Sequence, residues 1–85
     1  MFYVYLLRSL GDPLKTYTGF TTDLKQRLAA HNLGSSVHTS KFLPWQIETY
    51  LALSDEKRAR DFEKYLKSGS GQAFSKKRLR GLRST

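Results

Sequence analysis

Residues 2–8, FYVYLLR, are apolar at both alternating sets of positions, with Tyr3, Tyr5 and Leu7 on one face and Phe2, Val4 and Leu6 on the other. Such a run predicts a central strand covered on both sides. SLGDPLK follows, with the turn formers Gly11, Asp12 and Pro13. Residues 15–20 return as a second strand, so the pair predicts a hairpin. Thr21-Thr22-Asp23 offers helix N-caps, and Asp23 with Gln26 resembles a capping box. That helix is expected to run to about residue 32, with Gly34 as its stop. Residues 34–44 read as a loop closed by Pro44. WQIETYLAL, residues 45–53, alternates, with Trp45, Ile47, Thr49, Leu51 and Leu53 on one side, and predicts a half-buried third strand. Ser54 is the expected cap of a second helix, with Asp55 and Glu56 in its first turn where the dipole favours acids. That helix is expected to end near Ser68-Gly69-Ser70-Gly71, and a last helix to follow over about 72–80. The order β-β-α-β-α-α defines an α+β protein, with helices packed on a small antiparallel or mixed sheet.

Composition narrows the picture. A chain of 85 residues supports one domain, expected over 1–80 with 81–85 as a basic C-terminal tail. With no cysteine, neither a disulfide framework nor a thiolate metal site is available. FYVYLL is too short to span a bilayer and lacks signal-peptide flanks, so a cytoplasmic protein without a membrane partner is expected. The formal net charge is +8. It is uneven: Arg8, Lys15, Lys25, Arg27 and Lys41 are balanced by acids within residues 1–56, whereas residues 57–85 hold every other basic residue against only Asp61 and Glu63. This asymmetry points to a polyanionic partner, most often nucleic acid, against the plainer reading of a solvated basic face.

Three polar residues intrude on apolar helix faces. On a wheel with Leu24 at zero, Leu28 falls near about 40°, His31 near about 340° and Arg27 near about 300°. Arg27 and His31 thus border the core-facing stripe. In the second helix Ala59, Phe62 and Leu66 form the buried stripe, and Glu63 falls on the same side. A carboxylate there must be paired or hold a metal; a plain Glu63–Lys67 surface pair is the alternative. Tyr3 and Tyr5 share a strand face, and Tyr17 precedes Gly19, which permits close approach of a ligand to the second strand.

These residues resemble a known set. Tyr3-Val4-Tyr5 and Tyr17-Thr18-Gly19 resemble the paired signature of the GIY-YIG nuclease superfamily, and Arg27, His31 and Glu63 follow in the family's order. DLKQRLAAHNLG, Pro44-Trp45 and EKYLKSGSG extend the likeness to small stand-alone bacterial proteins, similar to the nuclease domain at the N-terminus of an excinuclease subunit. Two letters depart from the signatures, Tyr3 for glycine and Thr18 for an aliphatic residue. The family's late asparagine has no counterpart after Asn32, so its role is vacant or shared by Lys67 and Ser68.

The resemblance implies a three-stranded antiparallel sheet flanked by helices and divalent-metal-dependent hydrolysis of a phosphodiester. Glu63 would anchor Mg²⁺ or Mn²⁺, since Mg²⁺ keeps several waters and needs few protein ligands. Arg27 would clamp a phosphate oxygen. Water would be activated by a tyrosine or by His31; Tyr5 is preferred over Tyr17 as the base, with Tyr17 and His31 orienting water and phosphate. Lys25, Lys41, Lys64, Lys67, Lys76, Lys77 and Arg78 would hold the nucleic-acid backbone. The expected substrate is DNA, branched or damaged, in repair or recombination. The alternatives are a module that binds nucleic acid through its basic C-terminal third without cutting it, and an RNA-bound accessory protein.

Overall fold

The strand with two apolar faces is central. β1 (Phe2–Ser9) lies between β2 (Thr16–Thr21) and β3 (Trp45–Leu53) in a three-stranded antiparallel sheet of order β2-β1-β3. In the computed structural model, which describes residues 1–79, Val4, Tyr5, Leu6 and Leu7 are all buried. Helix α1 (Leu24–Asn32) covers one sheet face and α2 (Glu56–Leu66) the other, with α3 (Gly69–Arg78) packed against α2. A single 3-10 turn, Ser40–Phe42, interrupts the loop before β3.

Each face has its own core. Tyr5, Leu7 and Trp45 pack with Tyr17, Leu24 and Leu28 beneath α1. Val4, Ala59 and Leu66 pack with Phe20, Leu53 and Phe62 beneath α2. The side chains alternate because residues opposite one another across β1 and β2 share a face: Leu7 with Tyr17, Tyr5 with Gly19, Val4 with Phe20.

β3 departs from the simple alternation expected of it. Leu6 pairs with Thr49, but Leu7 pairs with Ile47, which leaves Glu48 as an extra residue in the strand. One extra residue reverses the faces on either side of it. Trp45 and Ile47 therefore join the core beneath α1, whereas Leu53 joins the core beneath α2. The Glu48 carboxylate accepts from Arg8 Nε at 3.0 Å, an ion pair largely shielded from water.

Helix ends follow local capping chemistry. Asp23 accepts from the Gln26 N–H at 3.1 Å, one half of the expected capping box. Gly34 takes a φ of 76° and donates to the His31 carbonyl at 3.0 Å, closing α1 as expected. The cap of α2 is Asp55 and not Ser54; its carboxylate accepts from the Lys57 N–H at 3.0 Å. α3 starts at Gly69, earlier than expected, because Ser68 Oγ accepts from the Gly71 N–H at 3.1 Å. The Ser-Gly-Ser-Gly stretch is thus a cap and first turn. The expected end of α3 at residue 80 and the tail at 81–85 lie outside the described residues.

Gly71 lets α3 fold back on α2, since a Cβ there would overlap the Tyr65 carbonyl and Leu66 Cα. Gly71→Ala is expected to lose about 1–3 kcal/mol of stability as the hairpin is forced apart, read from the urea midpoint. A wild-type midpoint would refute this close contact.

Candidate active site

Tyr5 and His31 meet on the α1 side of the sheet. Position 5 points toward α1 by strand alternation, and positions 27 and 31 lie one turn apart along the border of that helix's buried stripe. The Tyr5 hydroxyl is 3.0 Å from His31 Nε2 and accepts from Arg27 Nε at 3.3 Å. His31 Nδ1 is 2.8 Å from Thr39 Oγ1, and the Thr39 carbonyl accepts from Trp45 Nε1 at 2.8 Å. Asn32 then brackets the Trp45 backbone, donating to its carbonyl at 3.0 Å and accepting from its N–H at 2.6 Å. The result is one polar chain from the guanidinium of α1 through the central strand to the loop before β3.

Burial assigns the protons in this chain. His31 has no exposed surface, and its pKa lies below the ordinary 6.5, first because burial penalises the imidazolium and second because Arg27 repels it. A neutral ring has one donor and one acceptor nitrogen. Because Arg27 donates to the Tyr5 oxygen, the Tyr5 proton is directed to Nε2, and Nδ1–H donates to Thr39. Tyr5 is 3% exposed. Burial raises its pKa and outweighs the opposing hydrogen bond and charge of Arg27. Tyr5 is therefore a buried phenol that holds Arg27 in place.

The Arg27 pKa is raised, chiefly by its hydrogen bond to Tyr5, with Tyr17 contributing less. Tyr17 is only half-buried, at the edge strand, with its ring centroid 5.1 Å from that of His31 and 6.4 Å from that of Tyr5. Lys67 Nζ lies 5.8 Å from the centroid of the Tyr17 ring, within cation–π range. The same ammonium pairs with Glu63 at 2.6 Å. The i, i+4 pair considered on sequence therefore forms, but it sits over Tyr17. Burial is the main cause of the raised Tyr5 pKa, and Tyr17 and Glu63 add smaller electrostatic contributions in the same direction. The C-terminal end of α2 thus brings the Glu63–Lys67 pair to the Tyr17 ring at the β2 edge of the sheet.

The proposed phosphate-binding residues are more scattered. Lys25 and Lys41 are exposed on the side of α1 and the 3-10 turn, whereas Lys64, Lys76, Lys77 and Arg78 are exposed on α2 and α3 across the sheet. Lys67 is the one beside Tyr17. Ser68, a candidate for the missing asparagine's role, spends its hydroxyl on capping α3 and on the Tyr65 carbonyl at 2.6 Å. Thr39 was not legible in advance, because a threonine in an aperiodic loop carries no pattern.

No three His, Cys, Asp or Glu side chains cluster as metal ligands among the described residues. The carboxylate at hand is Glu63, and Lys67 Nζ marks where a cation already sits against it. That arrangement suits a metal ion that keeps most of its waters and takes one protein carboxylate.

A sheet of order β2-β1-β3 with Tyr5 and Tyr17 on neighbouring strands, Arg27 on α1 and Glu63 on α2 has the architecture of the nuclease-type α+β domain of the GIY-YIG class. The chain belongs to this family: the model of the GIY-YIG catalytic domain matches residues 1–78. UPF0213 proteins of Streptococcus pyogenes serotypes M3, M1 and M4 are each 41% identical to it over 58 residues. These matches cover 67% of this chain and 60% of each relative's length.

The neutral His31 carries a pH signature. Its folded pKa is depressed, so the stability it contributes is complete above the unfolded value near 6.5 and is lost as pH falls through the lower folded value. The groups facing it are Tyr5, Tyr17, Arg27 and Thr39. The urea midpoint is expected to fall between pH 7.5 and about 5.5, with a smaller fall in His31→Gln. A midpoint that rises on acidification would contradict the assignment.

Proposed function

We propose that this protein is a divalent-metal-dependent DNA endonuclease that hydrolyses phosphodiester bonds and selects DNA by its structure, in repair or recombination in the cytoplasm. The observation that supports it is the convergence of Arg27, Tyr17 and Glu63 on one edge of the sheet, with the Arg27 guanidinium held by a buried phenol.

Arg27 binds a non-bridging oxygen of the scissile phosphate through the N–H groups its Tyr5 bond leaves available. Tyr5 fixes the guanidinium, and His31, oriented by Thr39, fixes Tyr5 by accepting its proton in a hydrogen bond. Tyr17 orients the attacking water and, in its phenolate form, takes the water's proton to become the neutral phenol, with the cations Arg27 and Lys67 beside it as counter-charges. Glu63, paired with the Lys67 ammonium in this structure, would hold Mg²⁺ or Mn²⁺. When bound, the ion supplies charge stabilisation at the phosphate and the leaving oxygen.

The test is cleavage of end-labelled duplex, single-stranded and junction DNA with Mg²⁺ or Mn²⁺. Product from junctions ahead of plain duplex supports the reading. Salt-sensitive binding with no product from any substrate overturns it in favour of a non-catalytic nucleic-acid-binding module, to which the basic last turn of α3 is equally suited.

A further inference from the structure

Outside the candidate active site, α2 and α3 expose a row of aromatic rings. Phe62 and Tyr65 stack with centroids 6.3 Å apart and planes inclined by 23°, and Tyr65 meets Phe74 of α3 at 6.1 Å. Tyr65 is 42% exposed and Phe74 37%. Phe62 continues the row into a groove of about 440 Å³ lined also by Leu51, Leu53, Arg58 and Asp61, a volume in the range of small-ligand clefts. At about 100° per residue Tyr65 lies about 160° around α2 from Glu63. The ridge therefore borders the buried stripe on the side turned away from Glu63 and Lys67.

The charges beside the ridge select what it fits. Arg58 lines the groove, and Lys77 and Arg78 share the Phe74 face of α3 at i+3 and i+4. None of the three forms an ion pair among the described residues. The acid of the groove, Asp61, is held by Lys57 Nζ at 2.9 Å. A second copy of this chain would bring the same cations against each other, whereas a polyanion would be drawn in. Exposed rings give unpaired bases a face to stack on, and flanking cations take the phosphates between them. A continuous duplex hides its base faces and cannot use the rings.

The geometry points to a stacking surface for unpaired nucleotides formed by Phe62, Tyr65 and Phe74, with Arg58, Lys77 and Arg78 as its phosphate contacts. This rests on the nuclease reading above and deepens it by naming the class of DNA taken: one with a single-stranded segment that crosses α2 away from the cut. The test measures binding alone, by fluorescence anisotropy in EDTA, for a labelled single strand of about 20 nucleotides and a duplex of equal length. Tyr65→Ala with Phe74→Ala is expected to weaken single-strand binding about tenfold or more and duplex binding less than about twofold. Tyr65→Phe with Phe74→Tyr, which keeps both rings, is expected to bind the single strand like wild type. Equal weakening for both ligands, or none for either, overturns the proposal, as does a dimer that these alanines dissolve. Because binding is read without metal, a wild-type protein that never cuts DNA would sink the endonuclease reading and leave this result standing.

Discussion

Glu63→Ala is expected to lower metal-dependent DNA cleavage by about 10²–10³-fold or more while leaving the fold and DNA binding intact. The separation follows from what Glu63 does in the folded chain. Its only ion pair among the described residues is with Lys67, whose side chain is 47% exposed. Exposed i, i+4 pairs contribute about 0.3–0.5 kcal/mol, so the urea midpoint should hardly move. Removing the carboxylate leaves the Lys67 ammonium over Tyr17 without a counter-charge, which should hold or strengthen phosphate binding. The variant is thus expected to bind substrate DNA like wild type, release no product, and respond to neither Mg²⁺ nor Mn²⁺. Equal product from both proteins would dismiss Glu63 as the metal ligand. Loss of binding in parallel with cleavage would show instead that the carboxylate organises the surface.

The parts of this fold legible in advance were those in which local pattern and tertiary role agree. β1 is apolar on both faces and is covered on both faces. Arg27 and His31 border the stripe of α1 and turn toward Tyr5, because helical spacing survives folding unchanged. Where the outcome depends on pairing between distant segments, the pattern misleads. Trp45, Ile47, Leu51 and Leu53 read as one continuous alternation, and only the register against β1 shows that Glu48 is inserted between two opposite-facing halves. Capping errors are of a different kind: Ser54 and Asp55 are both good caps, and the choice rests on a single φ/ψ pair. The site was legible as a set of residues but not as a set of roles. Two tyrosines on neighbouring strands look interchangeable until burial separates them. Tyr5 is enclosed by α1 and held by His31, whereas Tyr17 stands at the edge strand beside Lys67.

That separation depends on Gly19, which gives the second large effect. Gly19 lies directly across from Tyr5 in the β1–β2 register, and the Tyr5 ring rests over it. A Cβ at position 19 would overlap the phenol from its hydroxyl to Cε1. The ring is 3% exposed, and its surroundings leave it little room to retreat. Gly19→Ala must therefore push the phenol away from its present place, and with it break the 3.3 Å bond to Arg27 and the 3.0 Å contact with His31. The stability cost is expected at about 1–3 kcal/mol, as for other overpacked sites. Cleavage should fall by about 10²-fold in protein that is still folded, since small misplacement of a positioning group costs that much. Tyr5→Phe isolates the second part of this effect, because it deletes the hydroxyl and keeps the ring over Gly19. It is expected to lose activity, and its stability, read from the urea midpoint, to fall by no more than about 1–3 kcal/mol, the cost of the orphaned His31 Nε2. If Tyr5→Phe cleaves like wild type while Gly19→Ala does not, the glycine serves backbone packing alone and the Arg27–Tyr5–His31 chain has no part in the reaction.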